Sequence, residues 1–204
     1  MNKLVSIVIP TYNRADRLPE AIESCLAQTY ENIELIIVDD GSTDITEEVV
    51  QPFLQRDSRV RYFKKKNGKL PRALNYGFDR AKGYYLTWTS DDNRYFPNAI
   101  EQMVRAQQEF GKDCLVYADY VWKNRITGEE RHYSNDDIRK IERTNIIGAC
   151  FLYTKNIKNA VGEYNPSLFL VEDYDYWLRI YKKFPVVHLK KELYEYWEHK
   201  TTLT

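Results

Sequence analysis

An apolar run from Leu4 to Ile9 ends at Pro10, and an amphipathic stretch follows from about Asp16 to Gln28. That order predicts strand, loop, helix. The pattern then recurs. Ile33 to Val38 is nearly all aliphatic, as expected of a parallel strand covered on both faces. After it comes the polar turn Asp39-Asp40-Gly41-Ser42-Thr43, and Asp44 with Glu47 three residues on reads as a capping arrangement opening a helix to about Arg56. A third unit consists of a short strand from Val60 to Phe63, a basic loop from Lys64 to Lys69 and a helix from Pro71 to Arg80. Proline in its first turn is harmless, because that N–H has no helical partner. Tyr84 to Thr89 is rich in β-formers and supplies a fourth strand.

Three strand-helix units ending in a fourth strand predict right-handed crossovers and a Rossmann-like α/β architecture, a doubly wound, mostly parallel sheet with helices on both faces. Ligands of such sheets collect beyond the carboxyl ends of the strands, so the polar turns there carry the search for function. Past Pro97 the pattern gives a helix to about Phe110, a strand from Leu115 to Trp122 and a hairpin turn at Thr127-Gly128, then a mixed region of strands and helices. A helix opens at Glu172, with Tyr174, Trp177 and Leu178 expected on its apolar face.

At 204 residues the chain suits one domain, with no repeat or linker to divide it. Its 30 basic and 30 acidic residues cancel, so no global field favours nucleic acid or an anionic membrane, and an anionic ligand must be held locally. Cys25, Cys114 and Cys150 lie far apart without metal-ligand spacing and read as reduced thiols of a cytoplasmic protein. The N-terminal apolar run lacks a cleavage site and reads as a buried strand, and no stretch of ~18 apolar residues exists to span a bilayer. Peripheral contact with the inner face of a membrane, and a homodimer, stay open.

The chemistry sits in the turns. Pro10-Thr11-Tyr12-Asn13 follows the first strand in place of the G-x-G-x-x-G that brings a helix N-terminus to a pyrophosphate, which argues against a dinucleotide dehydrogenase. A nucleoside diphosphate here would need its charge neutralised otherwise, and a divalent metal is the usual substitute. Asp39-Asp40 can accept from a base N–H or a ribose hydroxyl, or can simply form a turn and helix cap. Gly41 stands where a haloacid-dehalogenase-type phosphatase needs a second aspartate, and the acidic residues of a response regulator are replaced by Pro10-Thr11 and Lys64 to Lys66. Ser90-Asp91-Asp92-Asn93 brings a second carboxylate pair to the same rim, and hard oxygen ligands of this kind suit Mg²⁺ or Mn²⁺. Glu172-Asp173 either complements a helix dipole or supplies a general base for an acceptor hydroxyl. His199 is a candidate metal ligand or phosphate contact, although a lone histidine is more often neither. Trp88, Tyr95, Trp122 and Trp177 lie near these turns in sequence and offer ring faces for stacking, although most aromatics are core, and the segment from Asn124 to Thr144 is where loops are expected to select a ligand.

Together these residues resemble the family 2 glycosyltransferases of the GT-A fold. The resemblance rests on V-S-I-V-I-P-T-Y-N-R at 5–14, I-I-V-D-D-G-S-T-D at 36–44, N-x-G at 75–77, G-Y-Y-L-T-W-T-S-D-D at 83–92 and L-V-E-D-Y-D-Y-W-L-R at 170–179. It implies inverting transfer of a hexosyl or N-acetylhexosaminyl group from a nucleoside-diphosphate sugar, usually a uridine one, to a glycan or lipid-linked acceptor, with a divalent cation. Residues 1–95 would form the nucleotide-sugar half and 96–204 the acceptor half. Pro10, Thr11, Tyr12, Asn13, Arg14, Asp39, Asp40, Lys69, Arg72, Asn75, Ser90, Asp91 and Asp92 would hold the donor. Asp91, Asp92 and His199, the last in a C-terminal segment from Tyr194 to Thr204, would face the metal, and Asp173 would be the base with Glu172 beside it. Three positions depart from the family pattern. Thr89 replaces the first aspartate of D-x-D, Leu74 stands where an arginine often precedes Asn75, with Lys69 and Arg72 close by, and Trp197 stands where an arginine is expected two residues before His199. A sugar nucleotidyltransferase, or a non-catalytic sugar-nucleotide-binding protein of the same fold, are the competing readings.

Overall fold

The computed structural model describes residues 2–135 and 137–199. Strands β1 (Val5–Thr11) and β2 (Ile33–Asp39) are buried at every position, as their continuous apolar runs require. They pair in parallel, Thr11 opposite Asp39, with β3 (Val60–Lys64) parallel on the far side of β2 and β4 (Tyr85–Trp88) parallel on the other side of β1. Side chains alternate across the sheet. Val5, Ile7 and Ile9 therefore pack with Leu18, Ile22 and Cys25 of α1 (Leu18–Leu26), Val50 and Phe53 of α2 (Thr46–Arg56), and Ile100, Met103 and Val104 of α4 (Ala99–Phe110). Val8, Ile36 and Val38 face the opposite way, toward Ala73, Leu74 and Phe78 of α3 (Leu70–Asp79) and, across the same layer, α6 (Glu172–Tyr181). The doubly wound architecture expected from the sequence is present. A tight seam lies at Gly77, where a Cβ would lie 2.6 Å from Val8 Cγ1 and 3.1 Å from Val38 Cγ2.

Beyond β4 the sheet changes character. Its order is β3-β2-β1-β4-β8-β6-β9-β5, with β7 also on β6. β8 (Phe151–Thr154) runs antiparallel to β4, and β6 (Leu115–Asn124) antiparallel to β8, so β6 points the same way as β4. The long β9 (Val186–Glu198) is parallel to β6, and β5 (Arg94–Tyr95) closes the edge against it. Two reversals thus return the end of β9, and the hairpin between β6 and β7 (Glu130–Tyr133), to the rim formed by the carboxyl ends of β1, β2 and β4.

One local expectation is corrected and another is extended. Asp44 does not cap α2 with Glu47: Ile45 holds the cap position, and Asp44 spends one oxygen on the Thr46 N–H and hydroxyl and the other on the Ala15 N–H at 3.2 Å, tying the loop after β1 to the start of α2. On α6, Trp177 is fully buried, and Tyr174 and Leu178 pack half-buried against the same core, as expected; Glu172, Tyr176 and Ile180 extend this buried face, beside the neighbouring α5 (Lys155–Val161).

Candidate active site

The rim is built by loops whose backbones are held in conformations that side chains ordinarily avoid. Among the described residues, the non-glycine positions with left-handed φ are Asn13 (53°), Lys69 (71°) and Leu170 (73°), one in each of three segments that border the sheet's carboxyl edge. Such outliers concentrate at functional sites, where the surroundings over-determine them. Asn13 is fixed by its N–H to Ser42 Oγ at 2.9 Å and by its Oδ1, which accepts from the Thr43 N–H at 2.8 Å. Tyr12 beside it is 48% exposed, a ring presented to solvent at the end of β1.

Asp39 and Asp40 diverge in role. Asp39 is fully buried; it accepts from the Ser42 N–H at 2.7 Å and the Tyr62 hydroxyl at 2.5 Å, which fixes its carboxylate at the floor of the rim. Asp40 gathers the basic loop, accepting from Lys65 Nζ at 2.6 Å and from the N–H groups of Gly68 and Lys69 at 3.0 and 2.8 Å. The loop comes so near that a Cβ on Gly41 would meet the Asn67 nitrogen at 2.9 Å. Lys69 and Arg72 remain exposed at this edge. Asn75 turns away from the rim: its amide donates to the Tyr164 carbonyl at 2.8 Å and accepts from the Tyr164 N–H at 2.9 Å.

Asp91 is the electrostatic centre. It is 9% exposed, faces the Thr11 hydroxyl and the Tyr12 N–H, and is pushed up to about 7 by burial, reinforced by the charge of Asp92; Thr11, Arg14 and Tyr12 pull the other way without overcoming this. Asp92 Oδ2 accepts from His199 Nε2 at 2.7 Å, with both side chains largely buried. The Thr89 hydroxyl, where D-x-D would have its first carboxylate, is taken by the Tyr194 hydroxyl at 2.6 Å. Ser90 stands half-buried between them.

At the start of α6, burial raises the Asp173 carboxyl above its ordinary range, against bonds from the Tyr174 N–H (2.7 Å) and the Asn145 amide (2.9 Å) that lower it. Glu172 is 3% exposed and raised by burial and by Asp173; among the described residues its Oε2 has no hydrogen-bond partner. The aromatic stacking faces are mostly withdrawn: Trp88, Tyr95 and Trp177 are 8%, 4% and 0% exposed and belong to the core, leaving Trp122 half-buried on β6. Partners unseen in the sequence are Tyr62, Lys65, Asn145 and Tyr164, each far along the chain from the residue it holds.

Asp91, Asp92 and His199 offer oxygen and nitrogen donors suited to Mg²⁺ or Mn²⁺. Among the described residues no three such side chains converge into a closed cage. Mg²⁺-type sites commonly rest on one or two carboxylates, with substrate phosphates and water supplying the rest, so the donor set fits. Residues 200–204 of the C-terminal segment lie outside the described residues.

The same architecture occurs in Staphylococcus aureus TarS in complex with UDP-GlcNAc, with TM-score 0.81 and 17% identity over 97% of this chain and 59% of that one. It also occurs in a mannosyltransferase from Pyrobaculum calidifontis in complex with GDP-Man and Mn²⁺, with TM-score 0.75 and 14% identity over 98% of this chain and 58% of that one. The protein therefore has the GT-A glycosyltransferase fold. The glycosyl transferase family 2 model matches residues 6–174, and the chain belongs to that family. An uncharacterized glycosyltransferase of Rickettsia felis is 37% identical over 194 residues, 90% of this chain and 32% of that protein. The chondroitin synthase of Escherichia coli is 30% identical over 197 residues, 94% of this chain and 28% of that protein. The chain thus spans about a third of the length of these relatives. Among the described residues no helix is long and apolar enough to cross a membrane.

Proposed function

We propose that the chain transfers a hexosyl or N-acetylhexosaminyl group, with inversion, from a uridine-diphosphate sugar to a hydroxyl of a glycan or lipid-linked acceptor. The observation that carries this reading is Asp91: a nearly buried carboxylate, raised by burial and by Asp92, at the meeting point of three parallel strand ends. Such a group is costly unless a cation joins it. Asp91 would hold a divalent cation, with Asp92 and His199 completing the protein's share; when bound, that cation neutralises charge on the leaving diphosphate. Thr11, Tyr12 and Asp39 would fix the nucleoside, with Pro10, Asn13, Arg14 and Ser90 shaping its loop. Lys69 and Arg72 would face the phosphates, while Asp40 and Asn75 would act by holding the basic loop and Tyr164 in place. Asp173 would take the proton of the acceptor hydroxyl as its oxygen attacks the anomeric carbon opposite the leaving diphosphate, with Glu172 beside it. Positioning and charge neutralisation supply most of the rate.

The test is Asp173→Asn, assayed for release of UDP from a panel of UDP-sugars and for UDP binding. Activity reduced by about 10²–10⁴-fold with UDP affinity retained is the expected result. Near-normal turnover removes Asp173 as the base, and UDP-sugar bound by wild type but neither hydrolysed nor transferred favours a binding protein.

A further inference from the structure

The last stretch of β9 is pinned from three separate elements. From Tyr196 to Glu198, its strand partner is β6. Around the Trp197 ring stand three cations: Arg125 Cζ at 4.5 Å, Arg94 Cζ at 5.3 Å and Lys123 Nζ at 5.4 Å from the centroid. They come from the β6–β7 hairpin, from β5 and from β6. Three like charges about one ring would repel, and carboxylates offset this. Glu20 of α1 accepts from both Arg94 and Arg125, the latter at 2.6 Å, and Lys123 lies between Glu130 at 3.1 Å and Glu195 at 2.8 Å. Burial alone would raise the Glu20 carboxyl, yet the bonds from Arg125 and Arg94 hold it below its ordinary range. The backbone is tied as well, the Trp197 N–H donating to Asn93 Oδ1 at 2.7 Å and the Arg125 N–H to the Glu198 carbonyl at 3.0 Å. Asn93 adjoins Asp92, and Trp197 precedes by two residues the His199 that meets Asp92 at 2.7 Å.

We propose that Glu20, Arg94, Arg125 and Trp197 form a clasp that holds His199 against Asp92 and so pre-forms the cation-binding rim beside Asp91. These are positioning residues, acting on the site through β9. The inference rests on the reading of Asp91, Asp92 and His199 as the cation site. Its physical basis is pre-organisation: apparent affinity falls in proportion to the fraction of molecules already competent to bind, so a clasp whose loss leaves about a tenth of molecules competent weakens binding about tenfold. Cation–π contacts and a doubly bonded carboxylate are strong enough for a shift of that size.

The test uses Trp197→Ala and Glu20→Gln, with Trp197→Phe as the conservative control. Mn²⁺ binding is read from the loss of the free-ion electron paramagnetic resonance signal, with and without UDP. Amide hydrogen exchange over 192–199 is followed in metal-free protein. Trp197→Ala is expected to weaken Mn²⁺ binding about tenfold and to speed exchange over 192–199, with Trp197→Phe retaining most of both because a ring still faces the guanidiniums. Glu20→Gln should lie between them, and it keeps the test usable if Trp197→Ala fails to fold. Wild-type Mn²⁺ affinity in a Trp197→Ala protein of lowered thermal midpoint would reduce the clasp to a stabilising element and overturn the proposal. Unchanged exchange over 192–199 would overturn it as well. If wild-type protein itself binds no Mn²⁺, with or without UDP, the cation reading falls and the clasp's role falls with it, an outcome distinct from wild-type binding that the variants leave untouched.

Discussion

Asn75 offers a prediction in which stability and donor binding separate. Its amide makes a two-way clamp on the backbone of Tyr164, donating at 2.8 Å and accepting at 2.9 Å, and Tyr164 is 2% exposed. Asn75→Ala deletes both bonds. Each is worth about 1 kcal/mol net, and each backbone group left unpaired adds up to a further ~1–3 kcal/mol where water cannot reach it. The clamp is only part-buried, so water recovers some of this, and a loss of about 2–4 kcal/mol is expected. For a chain of this size 1 kcal/mol moves the thermal midpoint by about 2–4 °C, so the midpoint should fall by about 5–15 °C. The functional consequence runs through the Tyr164 ring, which stacks on Tyr176 of α6 at 4.0 Å and receives the Trp88 indole N–H on its hydroxyl at 3.1 Å. Loosening it shifts the helix that begins with Glu172 and Asp173, so turnover falls while UDP affinity holds. Differential scanning calorimetry and UDP titration read the two effects. Asn75→Asp keeps the acceptor but sets a carboxylate oxygen against the Tyr164 carbonyl, so it should cost at least as much as alanine. A midpoint within 2 °C of wild type together with lost UDP binding would make Asn75 a direct donor ligand instead of a clamp on Tyr164.

Three further outcomes are expected. Because Asp173 must be ionised to accept a proton and burial raises its pKa, turnover should rise with pH through a pKa above the ordinary ~4 of an aspartate, and this limb should vanish in Asp173→Asn; a limb unchanged by the substitution assigns it to another group. The raised Glu172 carboxyl makes the unfolded state ionise first as pH rises, so wild type loses stability between the ordinary glutamate pKa and the raised one. Glu172→Gln lacks this loss, and its midpoint relative to wild type should climb from pH 4 to pH 8; a constant difference would show that Glu172 is not raised. In Gly77→Ala the new methyl meets Val8 Cγ1 at 2.6 Å, so α3 must lift from the sheet at a cost of about 1–3 kcal/mol, read by urea unfolding; a neutral effect would mean that the seam yields freely.

The first half of the chain was legible because its rules are local. The apolar runs of β1 and β2 are buried at every position, and the turns after them hold the polar residues of the rim, so position along the chain translated directly into position in the fold. The second half depends on pairing between distant segments. The sequence of β9 mixes lysines and glutamates with aromatics, and its parallel register on β6 arises only once β8 has reversed direction. The helix α5 was not resolved from its surroundings for the same reason. At the site, acidic residues announced themselves by their place after strands, whereas the groups that orient them did not. Asn145 reaches Asp173 across 28 positions and Lys65 reaches Asp40 across 25, distances over which no pattern in the chain connects donor to acceptor. Asp44 shows the converse, a capping signal whose carboxylate instead bridges the loop after β1 and the start of α2.

Whether Asp91 centres a cation-dependent nucleoside-diphosphate site is decided by calorimetric titration of UDP with and without Mn²⁺, on wild type and Asp91→Ala. Mn²⁺ should strengthen binding markedly in wild type, and Asp91→Ala should reduce it to the metal-free level. UDP binding of equal strength with and without Mn²⁺, unaffected by Asp91→Ala, would contradict that role for Asp91.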